Sequence, residues 1–154
     1  MAMTMTGEVL LPAARAVVWQ RLNDADSLRA SIPGCESLEQ LSPTEFQAVA
    51  KVKVGPVSAR FKGKVNLTDI DAPNGYRIDG SGEGGIAGFA SGGATVHLVD
   101  ADGGGTLLKY DVQATVGGKI AQLGGRLIDS VAKKTADEFF RNFAAQLVQP
   151  QSQQ

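Results

Sequence analysis

One histidine, His97, and one cysteine, Cys35, are the chain's entire stock of imidazole and thiol. A metal site needs several such ligands converging, and neither residue has a second one nearby in the sequence. His97 alternates with Val96 and Leu98 beside Thr95, which places it on the polar side of a strand. Cys35 follows Pro33-Gly34 with no base in view and reads as a small half-buried side chain rather than a nucleophile. Alone, it also excludes an internal disulfide. Asp69, Asp71 and Asp79 border a turn and read as solvated carboxylates, not a general acid–base pair. Gly80-Ser81-Gly82-Glu83-Gly84-Gly85 spells a dinucleotide fingerprint, but that motif works by leading into a helix N-terminus. The residues that follow, Ile86 to Gly92, are no helix. No catalytic residue and no metal site are expected.

A second group of reactive types is basic. Lys51, Lys53, Arg60, Lys62 and Lys64 recur with a period of two around Gly55-Pro56, so they share the outer face of one hairpin. A two-residue turn there sets Lys51 opposite Arg60, and like charges so placed weaken a sheet by tenths of a kcal/mol. Either this is an ordinary solvated face, or it docks an acidic protein surface or an anionic lipid. Nucleic acid is not the partner expected, because 15 Lys+Arg against 16 Asp+Glu leave a net charge of -1.

These side chains must be carried by a single domain, residues 1–148, followed by a polar tail, 149–154. Glu8 to Leu11 is a short strand. Pro12 to Leu22 and the stretch from Asp24 to Ile32 are two short helices, the second capped by Asp24. From Glu36 to Val116 the apolar period is two, with turns at Ser42-Pro43-Thr44, Gly55-Pro56, Pro73-Asn74-Gly75 and Asp102 to Gly105. After Gly117-Gly118 a helical period takes over, marked by Ile120, Leu123, Leu127, Ile128, Val131, Phe139, Phe140, Phe143 and Leu147. A sheet polar on one side must bury the other, and the terminal helix is the only large element available. The expected fold is α+β: a curved antiparallel sheet of about six to seven strands wrapped around a long C-terminal helix, with two short helices after the first strand.

Glycine is the compositional outlier: 19 residues, about 12% of the chain against an average of about 7%. Thirteen of the 19 fall between Gly75 and Gly118, interleaved with apolar residues, which excludes a linker. On the inward face, small residues form a floor: Ala48, Ala50, Ala59, Gly63, Gly80, Gly82, Gly92, Ala94 and Ala114. Two readings compete. The missing side chains let the helix pack unusually close, or they leave a cavity with an apolar guest. In the second reading Ala48, Ala50, Gly63, Gly80 and Gly82 floor the site, and Phe61, Val96, Tyr110, Leu123 and Leu127 rim it. The hairpin register is expected to bring Gly63 near Gly80.

Four segments, together with the order of elements, carry a family resemblance. They are Ile32-Pro33-Gly34-Cys35-Glu36-Ser37-Leu38, Ala59-Arg60-Phe61-Lys62-Gly63-Lys64-Val65, Gly104-Gly105-Thr106-Leu107-Leu108-Lys109-Tyr110 and Gly118-Lys119-Ile120-Ala121-Gln122-Leu123-Gly124. Over about residues 5–148 the chain resembles the G-subunit family of carbon monoxide dehydrogenase, within the START-like, helix-grip superfamily. The resemblance implies a non-catalytic accessory protein of a molybdenum-containing carbon monoxide dehydrogenase or related hydroxylase. It also implies coupling to the membrane and a lipophilic guest, with quinone the natural one. The sequence itself shows no secretory signal and no apolar run long enough to span a membrane. A cytoplasmic location is therefore expected, with peripheral contact at the inner face of the membrane as the alternative setting. The alternatives are an enzyme of the polyketide cyclase or aromatase kind, and a ligand-free assembly factor docking through the basic hairpin.

Overall fold

A computed structural model describes residues 1–148; the tail assigned to 149–154 lies outside the described residues. Strand β1 (Ala2–Leu11) leads into two short helices, α1 (Arg15–Leu22) and α2 (Ala25–Ser31). Six strands follow: β2 (Cys35–Ser42), β3 (Glu45–Val54), β4 (Val57–Asp71), β5 (Gly75–Glu83), β6 (Phe89–Asp100) and β7 (Thr106–Gly117). The chain ends in α3 (Gly125–Leu147). All seven strands form one antiparallel sheet in the order β1-β7-β6-β5-β4-β3-β2.

The β3–β4 hairpin has the register that its two-residue turn dictates. Val54 pairs with Val57, Lys51 with Arg60 and Ala48 with Gly63. One strand further the expectation fails, because Gly63 pairs with Gly82 and Val65 with Gly80. The hairpin closes on the Asp71–Gly75 pair, later than that register requires, and an irregularity between Thr68 and Asp71, where Asp69 takes a left-handed conformation (φ 49°), shifts the ladder beyond it by one residue. An interrupted ladder advances one strand relative to its neighbour, and periodicity cannot register that. The first strand is also longer than its apolar run, since Met3 and Met5 alternate with Thr4 and Thr6 and pair along β7.

The terminal helix begins later than its apolar spacing suggests. Residues Lys119–Leu123 form a separate 3₁₀ turn, and Gly124, at φ 96°, breaks the chain before α3. Leu123 therefore belongs to a different element from Leu127.

Helix α2 is fixed at both ends. The Asp24 carboxylate accepts from the Ser27 backbone N–H at 3.0 Å, as a cap should. On its inner side Ser27 and Ser31 are buried against α3, where the Gln146 amide donates to the Ser31 hydroxyl at 2.7 Å and Asn142 to the Ser31 carbonyl at 3.1 Å. Buried polar groups so satisfied hold α2 in one place.

The buried apolar residues fall into two groups. One gathers Leu11, Val18, Leu22, Phe46, Leu67, Tyr76, Val96, Leu98, Leu108 and Phe143 around the short helices and the C-terminal half of α3. The other, Val54, Ala87, Val116, Ile120 and Ile128, sits at the N-terminal end of α3. Tyr76 belongs to the first, with its hydroxyl donating to the Leu22 carbonyl at 3.3 Å and its ring 5.2 Å from Trp19. Burial pushes its phenol well above the usual tyrosine range. A phenol whose pKa is raised on folding contributes stability that is intact below about pH 10 and is lost as pH rises beyond it. Alkaline titration of urea stability should therefore fall with a slope approaching about 1.4 kcal/mol per pH unit. In Tyr76→Phe that component of the slope should vanish, at a cost near 1 kcal/mol at neutral pH. An unchanged slope would remove Tyr76 as its source.

Candidate functional site

Between the two buried groups, under the middle of α3, lies a cavity of about 590 Å³, within the range of about 300–1,000 Å³ usual for small-molecule sites. Its roof is the inner side of α3: Ile128, Val131, Ala132, Thr135, Ala136, Phe139 and Phe140. The four residues in the middle of that series are small or medium-sized, so the helix is thinnest where the cavity is. The floor comes from alternate positions of the sheet: Met3 and Met5 on β1, Ala48, Val52 and Val54 on β3, Val65 on β4, Ile78 on β5, Ala94 and Val96 on β6, and Tyr110, Val112 and Val116 on β7. Leu28, Ile32 and Pro33, at and after α2, close one side.

The two ends differ in chemistry. Around Phe46, Tyr76, Tyr110, Phe139 and Phe140 the wall is aromatic; the Tyr110 and Phe140 rings stack at 5.4 Å, and Phe139 meets Phe140 edge-on at 5.0 Å. At the other end Val52, Val54, Val116, Ile120, Ile128 and Val131 make it aliphatic. Twelve residues separate Ile128 from Phe140, about 18 Å along a helix rising 1.5 Å per residue. Tyr110 lies across Gly7 on β1, where a Cβ would come within 2.8 Å of the ring. Its hydroxyl has no hydrogen-bond partner among the described residues. Partial burial, with Asp137 nearby, raises its pKa, so it is a neutral donor at physiological pH. Among the described residues no carboxylate, imidazole, ammonium or guanidinium group lines the cavity.

Of the residues assigned to this site from the sequence, the structure places Ala48, Val96 and Tyr110 in the cavity wall. Ala50, Phe61, Gly63, Gly80, Gly82, Leu123 and Leu127 are not among its lining residues. Phe61, paired with Ala50, packs into the aliphatic group, and its ring covers Gly84. Leu123 and Leu127 pack against the same group from either side of the Gly124 break. Gly80 sits in a shallower apolar depression of about 320 Å³ that shares Val65, Ile78, Ala94 and Val112 with the main cavity. Gly63 and Gly82 border a more polar hollow with Gln47, Lys62, Lys64 and Glu83. Met3, Met5 and the Val131–Ala136 stretch were missed. The signal for the stretch was present, as no Leu, Ile, Met or Phe occurs between Val131 and Phe139.

The remaining candidates are spread over the surface. His97 is exposed. Cys35 is half-buried, and desolvation raises its thiol pKa against the smaller lowering effects of the Ser37 backbone and the Arg29 charge. Residues Gly80 to Glu83 lie in β5, so the fingerprint letters lead into no α-helix. Among the described residues no three His, Cys, Asp or Glu side chains gather as metal ligands. The basic hairpin is partly neutralised: Arg60 pairs with Glu36 at 2.7 Å and Lys64 with Glu45 at 3.8 Å. Lys51, Lys53 and Lys62 have no carboxylate within ion-pair distance among the described residues.

A helix gripped by a seven-stranded sheet around an apolar cavity is an arrangement that many solved proteins share, so sequence must decide between them. The model of the CoxG family, the G subunits of carbon monoxide dehydrogenase, matches residues 7–148. The chain belongs to that family. A CoxG assignment agrees with the solved structures. A conserved protein from Geobacillus kaustophilus superposes with a TM-score of 0.89 at 30% identity, covering 94% of this chain and 95% of that one. A START superfamily protein from Mycobacterium smegmatis follows at 0.71 and 13% identity, covering 94% and 96%. The aromatase/cyclase Zhui from Streptomyces sp. R1128 gives 0.69 at 13%, covering 96% and 94%. Identities as low as these last two establish the START-like helix-grip fold and nothing about chemistry. No curated protein sequence matches the chain. Among the described residues of this CoxG chain, no helix is long and apolar enough to cross a membrane.

Proposed function

We propose that this CoxG protein is a non-catalytic carrier that holds a lipophilic small molecule, most suitably a quinone, between the sheet and α3. In this reading it serves a molybdenum-containing carbon monoxide dehydrogenase or related hydroxylase, and links that enzyme to the membrane quinone pool. The observation that carries the reading is the two-ended cavity. An aromatic end with one free phenolic donor suits a flat ring bearing carbonyl oxygen; an aliphatic end suits a hydrocarbon chain. Nothing in the wall transfers protons or electrons readily, so redox chemistry belongs to the guest and the partner enzyme.

Magnitude favours an occupant. A dry, empty cavity of this size would cost on the order of 10 kcal/mol, comparable with the whole stability of a domain. The cyclase reading draws on a fold likeness, and the wall lacks the acid and base groups such an enzyme needs. A ligand-free assembly factor has no use for the space.

Organic extraction of the purified protein, followed by mass spectrometry, tests the proposal. Near-stoichiometric recovery of one isoprenoid quinone is expected. Titration of the extracted protein with a short-chain quinone should show saturable binding that weakens about three- to tenfold in Tyr110→Phe, the loss of one hydrogen bond of about 1 kcal/mol. Absence of binding by the refolded, extracted protein would refute the carrier role.

A further inference from the structure

The most exposed large apolar side chain in the described structure is Ile86, 91% accessible at the tip of the β5–β6 loop. Phe89, the first residue of β6, is 49% exposed, and its ring rests on Gly117 of β7. Both point away from the cavity, and both border one groove with Arg60 and Lys62. Singly exposed apolar residues are ordinary; two together at a loop tip, flanked by cations, mark a contact surface.

The surroundings define what that surface fits. Lys51 stands opposite Arg60, and Lys119 follows Gly118, which packs on Gly88 at the base of the loop. Against Lys51, Arg60, Lys62 and Lys119 stand the Glu83 carboxylate, across from Lys62, and Glu36, bonded to Arg60. The cations remain in excess although the chain as a whole is slightly acidic. The loop's inner side is anchored: Ala87 is buried with Ile120, Val116 and Val54, three residues that also form the aliphatic end of the cavity. A protruding apolar tip on a firm base, ringed by positive charge, combines two weak signals that suit an anionic bilayer surface.

We infer that the β5–β6 loop docks this protein on anionic lipid, with Ile86 inserted among the acyl chains and the basic residues on the headgroups. Docking there sets the aliphatic end of the cavity against the bilayer. The inference deepens the carrier reading by naming its membrane-facing end, although the docking itself does not require a guest.

Vesicle flotation of the purified chain, with equal parts phosphatidylglycerol and phosphatidylcholine or with phosphatidylcholine alone, tests it. Binding is expected to the anionic vesicles only, to weaken with added salt, and to fall about tenfold in Ile86→Glu. Ile86 is so exposed that this change leaves folding intact, which circular dichroism and thermal unfolding verify. Insertion is read separately from Ile86→Trp, whose emission should shift to the blue and be quenched by brominated acyl chains. Leu10→Trp supplies the control: Leu10 is 66% exposed at the opposite end of the sheet, and its emission should stay constant. Equal flotation of parent and Ile86→Glu, no flotation at all, or equal shifts in the two tryptophan variants would each overturn the docking site. A protein that floats as expected but takes up no quinone would leave the docking site standing and overturn the carrier role instead.

Discussion

Ala136→Phe is expected to abolish quinone uptake while leaving the melting temperature at or above that of the extracted, ligand-free parent. Ala136 lies in the thin middle of α3 and lines the cavity, with Ala48 and Ala94 among the small residues that line it from the sheet. In a filled core, an alanine replaced by phenylalanine forces side chains off their rotamers and costs about 1–3 kcal/mol or more. In a cavity the ring enters space already present and removes apolar surface from water, a gain of about 1.5–3 kcal/mol for a side chain of that size. The two pictures therefore predict opposite signs for one substitution. Ala94→Phe approaches the same space from the sheet and should behave alike, which guards against a defect peculiar to the helix. Thermal unfolding and quinone titration on both variants decide the matter. A loss above about 3 kcal/mol in both would mean that the helix packs flush on the sheet, and undiminished uptake would mean that the guest lies elsewhere.

How the cavity arises explains which parts of it the sequence could disclose. Strand periodicity identified the inward positions of β3 and β4, so Ala48 followed directly from the pattern. The order of elements required α3 to cover the sheet. Glycine abundance, by contrast, points to the wrong wall, since Gly63, Gly80 and Gly82 are not among the cavity's lining residues. Gly63, Gly80 and Gly82 do face inward by alternation, yet the space is shaped chiefly by the helix, where Ile128 and Phe139 are separated by a stretch of smaller residues. A count of large residues per helical turn would have found that gap. The end of the cavity was not legible, because it depends on Gly124 dividing the 3₁₀ turn from α3. Apolar spacing runs through that break undisturbed. Nor was the outward direction of Phe89, since five residues of loop precede β6 and carry no phase from β5.

Gly92→Ala should destabilise the protein by several kcal/mol, about 2–4 by comparison with other severe backbone clashes, whereas Gly63→Ala should be neutral or stabilising by up to about 1 kcal/mol. Both glycines lie within strands and neither has a left-handed φ, so conformational freedom does not separate them. Close approach does. A Cβ built on Gly92 falls inside the contact shell of the Gln113 carbonyl oxygen and 2.7 Å from the Ala114 Cα, and both are backbone atoms that can move only with β7. At Gly63 the nearest atom is the Ser81 carbonyl oxygen at 3.5 Å, an ordinary contact. An alanine there also restricts the unfolded chain, which accounts for the favourable sign. Urea midpoints at constant m-value measure both effects. Equal losses at the two positions would mean that the strand glycines are uniformly required by the curvature of the sheet. A loss confined to Gly92 would mean that Gly63 owes its missing side chain to something other than the fold.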